Sequence, residues 1–98
     1  MNKIKQQWTP GPWKRRHLTV EDHRGMVVAL VSEPHHMLLG AERREDMEWC
    51  KGNAKLIAAA PELVTALSEL LEYGLKMSGR HHAPAFEKAR AALAKAGA

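Results

Sequence analysis

Three short groups of basic side chains contain the residues of this sequence that are best suited to chemistry. They are Lys14-Arg15-Arg16-His17, Arg43-Arg44 and Arg80-His81-His82. The planar fork of an arginine matches the oxygens of a phosphate group. If the three groups converge, within one chain or across a subunit boundary, they form a pocket for a small phosphorylated ligand. The alternative is that alternating strand residues such as Arg15 face water.

Two tryptophans stand on a stiff segment that could support such a pocket. The segment Trp8-Thr9-Pro10-Gly11-Pro12-Trp13 contains two prolines, which fix their own φ and favour extended backbone before them. Tryptophans on such a segment usually fold over a core, but Trp8 or Trp13 could instead stack on a base. Asn53 could read a polar edge of that base, although helix capping explains this residue equally well.

The six histidines suggest a metal site only weakly. A zinc site needs three or four converging ligands, and Cys50 is the only thiol in the chain. His35-His36 and His81-His82 are adjacent pairs, and neighbouring side chains seldom converge on one ion. We therefore predict no metal and no cofactor.

The sequence also contains no recognisable arrangement of catalytic residues. Cys50 lies in a predicted helix beside Trp49, which favours a buried, unreactive thiol. The carboxylate pairs Glu21-Asp22 and Glu45-Asp46 are interpreted as solvated. The sequence contains no phosphate-binding loop, no dinucleotide fingerprint and no nucleophile elbow. We predict a protein that is not an enzyme and has no catalytic residues.

The distribution of charge favours anionic partners. The net charge is +4, with eight Lys and Arg against four Asp and Glu in residues 1–44 and four against one in residues 80–98. Ordinary surface charge is the alternative. Direct binding to nucleic acid is disfavoured because no helix-turn-helix is evident and the central helical segment is net acidic.

The N-terminal segment and the single cysteine indicate where the protein functions. The sequence starts with a polar segment, has no signal peptide and no apolar run long enough to span a bilayer, and Cys50 cannot form an intramolecular disulfide. We expect a cytoplasmic protein with no membrane association.

The first part of the chain has the pattern of a small antiparallel sheet. Residues 14–20 form a weak strand, Glu21–Gly25 supplies turn residues, and Met26–Val31 is a continuous β-favouring run. Together they predict a hairpin. Residues 32–40 are a loop, in which Met37–Leu39 is a candidate third strand.

The rest of the chain has the pattern of helices. A charged helix begins near Glu42, and Gly52 favours a break after which Asn53 caps the next helix. Pro61 fits the first turn of a helix that runs to about Met77, and a last helix spans residues 84–96.

We therefore predict an α+β fold: an N-terminal β-hairpin or small antiparallel sheet followed by two to four C-terminal helices. The 98 residues form a single domain, with a flexible arm at 1–7, a β region at 8–40 and a helical region at 41–98.

One apolar helix face is wide for a domain of this size. We expect part of it to cover the hairpin and the remainder to drive self-association into a dimer or a multiple of dimers. Its members are small and aliphatic residues at helical spacing: Ala60, Leu63, Ala66, Leu67, Leu70, Leu71 and Gly74.

Two segments also carry a resemblance to known proteins. Trp8–Trp13 reads W-T-P-G-P-W, and Asn53–Leu67 matches N-A-x-L-I-A-A-A-P-E-L-L-x-A-L except for Val64, with the strand Gly25–Val31 between them. This pairing resembles a family of short phage and prophage proteins. The plan of a small sheet followed by C-terminal helices is similar to the phage Thoeris anti-defence proteins, sponges that sequester cyclic ADP-ribose-type signals and, in some members, cyclic oligonucleotides.

The resemblance implies a counter-defence protein that acts in the host cytoplasm and sequesters a host cyclic nucleotide signal without catalysis. The ligand-binding residues are inferred from their chemistry and not from the resemblance. The candidates are Trp8, Trp13, Arg15, Arg16, Arg43, Arg44, Asn53 and Arg80. The alternative is a protein–protein inhibitor of a bacterial defence complex, such as an anti-CRISPR.

Overall fold

The structure, a computed structural model, describes residues 7–78 and 83–98. Within these ranges an antiparallel sheet of order β1-β2-β3 precedes three helices. The predicted α+β fold is therefore confirmed. The elements are β1 Lys14–Arg16, β2 Thr19–Glu21, β3 Val27–Leu30, α1 Gly40–Ala58, α2 Ala60–Ser78 and α3 Pro84–Lys95.

A tight turn divides the segment that the sequence predicted as one strand. Arg16 pairs with Thr19, so His17 and Leu18 form a two-residue hairpin turn between β1 and β2. His17 has a φ of 58°, in the left-handed region where glycine or asparagine is usual. The turn was missed because its sequence lacks these residues. Leu18 is buried, and its carbonyl accepts a hydrogen bond of 2.8 Å from Val31 N.

The predicted hairpin between the second and third strands is confirmed. Gly25 has a φ of 83° and donates its N–H to Asp22 O at 2.9 Å, which closes the connecting turn. The candidate third strand at Met37–Leu39 was wrong, because Leu38 N donates to His35 O in a turn that leads into α1.

Helix α1 runs without interruption through Gly52 and Asn53, so the predicted break and the predicted cap were wrong. The physical reason is burial on both sides of the glycine. Cys50 and Ala54, one turn apart, are buried, and α1 packs on β1 and β2, where Val20 is fully buried. A glycine inside a helix costs about 1 kcal/mol, which such packing readily offsets.

The other two helices have a proline in their first turn, as predicted. Helix α1 ends at Ala58, and Pro61 lies in the first turn of α2. Pro84 opens α3. The described parts of the helices contain no segment with the length and hydropathy needed to cross a membrane.

The chain separates into two compact units. Residues 10–61 contain the sheet and α1. The second unit comprises the described residues up to Thr9 and from Glu62 onward, which include most of α2 and all of α3. In the second unit, Gly74 of α2 lies against Phe86 of α3. The predicted single domain at 1–98 stays a prediction, and residues 1–6 of the predicted flexible arm at 1–7 lie outside the described residues.

Candidate functional site

The two arginines of β1 lie on opposite faces of the sheet. Arg15 pairs with the fully buried Val20, so it shares the face that α1 covers, and it is half-buried. Its Nη1 donates to His17 O at 3.0 Å. Arg16 lies on the outer face, where its Nη1 is 3.5 Å from Glu21 Oε2. Alternation along the strand therefore separates these two candidates.

Arg43, near the start of α1, is tied to the preceding loop. Its Nη1 donates to Pro34 O at 3.4 Å and to His35 O at 3.3 Å, and its Nη2 lies 3.4 Å from Glu33 Oε1. This guanidinium therefore holds the loop against the first turns of the helix.

An open depression lies along the same side of α1, with a volume of about 610 Å³. Its charged groups are three cations and one carboxylate, and Lys51 Nζ lies 3.3 Å from Glu48 Oε2. Residues spaced three or four apart share a helix face, which is why this set converges. The lining residues are Gly40, Arg43, Arg44, Met47, Glu48 and Lys51.

Arg44 differs from the other two cations of the depression. Its side chain is exposed, and it makes no hydrogen bond or ion pair with residues 7–78 or 83–98. It can therefore bind an anion without first breaking an internal contact.

The other candidate residues lie elsewhere. Asn53 is nine residues beyond Arg44, about two and a half helical turns, which places it on the opposite side of α1. Trp8 and Trp13 are half-buried and do not line the depression. Arg80 lies outside the described residues. Of the eight candidates, the depression thus brings together Arg43 and Arg44.

Sequence reasoning missed two features of α1. Lys51 completes the cationic lining, and its spacing of seven from Arg44 was the available signal. On another side of the helix, Trp49 and Leu56 are 64% and 63% exposed, although a tryptophan in a helix suggests burial. The two are seven residues apart, about two turns, and form one apolar patch.

Asp22 contradicts the interpretation of its carboxylate pair as solvated. It is only 4% exposed, and its Oδ2 accepts hydrogen bonds from Arg24 Nη2 at 2.8 Å and Nε at 3.1 Å. Its Oδ1 accepts from the N–H groups of Arg24 and Met26. The pKa of Asp22 is lowered from 3.8 to about 2, and the hydrogen bonds from the Arg24 side chain are the largest cause. Burial opposes this shift, while the N–H groups of Arg24 and Met26 lower the pKa further. This carboxylate organises the turn between β2 and β3.

Neither the thiol nor the histidines of residues 7–78 belong to a group that could hold a metal ion. Cys50 is buried, as predicted, with its Sγ 3.9 Å from Asp46 Oδ2. The rings of His35 and His36 stack with centroids 4.4 Å apart. Within the described ranges, no three His, Cys, Asp or Glu side chains are grouped so that they could hold a metal ion. His81-His82 lies outside these ranges.

A family model described as Salmonella phage P22 protein Y8K6 matches residues 1–98. No curated protein and no solved structure matches the chain. The resemblance to small phage proteins is confirmed at this level, while the similarity to the anti-defence sponges stays a prediction. Because the match extends over the whole sequence, the chain belongs to the family of Salmonella phage P22 protein Y8K6 and is a small phage protein.

Proposed function

We propose that this phage protein binds and sequesters a small phosphorylated nucleotide signal of the host, a cyclic ADP-ribose isomer or a cyclic oligonucleotide, in the host cytoplasm. The observation that carries the proposal is the depression on α1. Its lining contains three cationic side chains, Arg43, Arg44 and Lys51, and a single carboxylate. Its volume of about 610 Å³ lies within the range of roughly 300–1,000 Å³ typical of small-molecule sites.

The three cations would contribute differently to binding. Arg44 makes no hydrogen bond or ion pair within the described part of the chain, so its fork is available for a bidentate pair with a phosphate. Lys51 can exchange the Glu48 carboxylate for a phosphate oxygen at little cost, because exposed ion pairs contribute at most about 1 kcal/mol. Arg43 stays bound to its loop and adds positive potential, and Met47 offers an apolar surface to a base or ribose.

Sequestration without turnover fits the composition of the lining. Nucleophilic or general acid–base catalysis needs a reactive group positioned beside a base. The lining residues include no histidine, cysteine or serine, and their one carboxylate is paired with Lys51. The proposal is therefore a binding protein and not an enzyme.

A thermal-shift assay tests this proposal. Purified protein is heated with cyclic ADP-ribose isomers and with cyclic di- and trinucleotides. A ligand at a hundred times its Kd adds about 2.7 kcal/mol to the free energy of unfolding, so Tm rises visibly. We expect Arg44→Ala to lose most of that rise. The control Lys88→Ala, which removes an exposed positive charge on α3, retains it.

The ligand is recovered after the assay and analysed by chromatography. Recovery of the intact compound supports sequestration, whereas conversion to a product contradicts it. An unchanged Tm across the whole panel overturns the proposed ligand class.

A second candidate function is inhibition of a host defence protein by direct contact. The observation favouring it is the patch formed by Trp49 and Leu56, both largely exposed on α1. Tryptophan is enriched among the residues that dominate protein–protein affinity. Trp49 is two residues from Lys51, so the patch and the depression lie on different sides of the helix.

A further inference from the structure

Helix α2 carries an exposed apolar stripe with the spacing of a coiled-coil seam. Its large members, Leu63, Leu70, Tyr73 and Met77, are 51%, 67%, 63% and 68% exposed, and Ala66 completes the stripe. The successive intervals are three, four, three and four residues, and the stripe extends over about 21 Å of the helix. This regular spacing sets it apart from isolated exposed hydrophobic residues, which need no explanation.

The stripe is distinct from the face of α2 that meets α3, where Gly74 lies against Phe86. Val64, Leu67 and Leu71 lie on the same side of α2 as Gly74 and, like it, are half-buried. The structure therefore divides the apolar face predicted from the sequence into two neighbouring stripes. Within the compact unit that contains α2 and α3, the stripe formed by Leu63, Ala66, Leu70, Tyr73 and Met77 is exposed along its length.

We propose that this stripe packs against the same stripe of a second copy of the chain, with the two α2 helices antiparallel. A seam of this spacing is suited to a partner helix of the same spacing, and a two-fold axis lets one surface serve both copies. Leu70 of each copy then faces Tyr73 of the second copy in the two central layers.

Charge complementarity selects the antiparallel orientation. Glu62, Glu69 and Lys76 flank the stripe at seven-residue intervals, on the side away from α3. In the antiparallel register, Glu69 of each copy lies beside Lys76 of the other, so the pair forms twice. In a parallel arrangement, Glu69 instead faces the uncharged Gly74 of the second copy, and no ion pair forms.

Sedimentation equilibrium of the full chain without ligand tests the interface. Wild type should form a dimer whose fraction rises with concentration. Leu70→Glu should raise the dimer Kd by about thirtyfold or more, since it places two negative charges, one from each copy, in the apolar interface between the two α2 helices. Ser68→Glu is the control, because it adds the same charge two residues away on the opposite side of α2. Circular dichroism checks that both variants remain helical.

A charge exchange tests the orientation independently of the apolar stripe. Glu69→Lys and Lys76→Glu should each raise the dimer Kd about tenfold, because each replaces two attractive pairs with two repulsive ones. The double variant should return close to the wild-type Kd. A wild-type monomer throughout, or a dimer insensitive to Leu70→Glu, overturns the interface. Single charge variants without effect overturn the antiparallel register. None of these outcomes depends on a nucleotide ligand.

Discussion

At the scale of single residues, Asp22 shows how one carboxylate can organise a turn. It accepts four hydrogen bonds, two from the Arg24 side chain and two from backbone N–H groups. Its own N–H donates to Met26 O at 2.9 Å across the same turn. Because a buried carboxylate is stable only when its oxygens are satisfied, the ion pair with Arg24 and the two backbone donors act together.

The lowered pKa of Asp22 predicts a pH-dependent contribution to stability. The ionised form is favoured in the folded state, so this contribution is present above pH 4 and is lost as pH falls from about 4 to about 2. Asp22→Asn should therefore lower Tm at pH 7, since it removes the charge that Arg24 pairs with. The difference in Tm between wild type and variant should shrink as pH is lowered through that window.

Glu45→Gln provides the control for this measurement, because Glu45 is an exposed carboxylate on α1. It should change Tm little at either pH. If the Asp22→Asn difference in Tm persists unchanged at pH 2, the charge of Asp22 is not the source of the stability.

At the scale of elements, two helix glycines occupy contrasting environments. A Cβ added at Gly52 of α1 would have no heavy atom within 4 Å. A Cβ added at Gly74 of α2 would lie 2.9 Å from Cε1 of Phe86. Gly52 thus costs helix stability without allowing a close contact, whereas Gly74 lets α2 and α3 approach each other.

The same substitution should consequently have different effects in the two helices. Gly52→Ala should raise the free energy of unfolding by about 1 kcal/mol, because alanine has the higher helix propensity. In Gly74→Ala the ring of Phe86 must move, so the gain is absent or reversed. Urea unfolding followed by circular dichroism measures both, and an equal gain in the two variants would contradict the proposed packing.

At the scale of the whole molecule, α1 presents two surfaces with different chemistry. One is the cationic depression of Arg43, Arg44 and Lys51, and the other is the apolar patch of Trp49 and Leu56. Both lie on a helix whose buried side packs on the sheet, so a rigid scaffold positions each of them.

Because the two surfaces are separate, one variant of each should distinguish a nucleotide ligand from a protein partner. Trp49→Ala should abolish capture of a defence protein from a host lysate and leave any nucleotide-induced rise in Tm intact. Arg44→Ala should have the converse effect. Each variant therefore controls for the other, and loss of both activities in either one would contradict two independent surfaces.

Much of the fold was predictable because its signals are local. Pro61 and Pro84 each lie in the first turn of a helix. Proline is tolerated in that turn and disrupts later ones, so in a segment of helix-favouring residues it indicates where the helix starts. The turn at Gly25 was predictable for a similar reason. The turn at His17 was not, because its backbone adopts a conformation that the residue type does not signal.

The sites were less predictable, because they depend on which side of an element is covered. Arginines adjacent in sequence, such as Arg15 and Arg16, suggest one cluster, but strand alternation places them on opposite faces. Lys51 was missed because its neighbours on the helix surface are several residues away in sequence.

The sequence by itself determined the α+β order of elements and the helix starts at the prolines. The spacing of apolar residues and the backbone restrictions of proline both act over a few residues. Only the tertiary structure decided that α1 continues through Gly52, that Asp22 is buried, and that the apolar face of α2 divides into a half-buried side and an exposed stripe. Those outcomes depend on packing between residues far apart in the chain, whose free energy outweighs local preference.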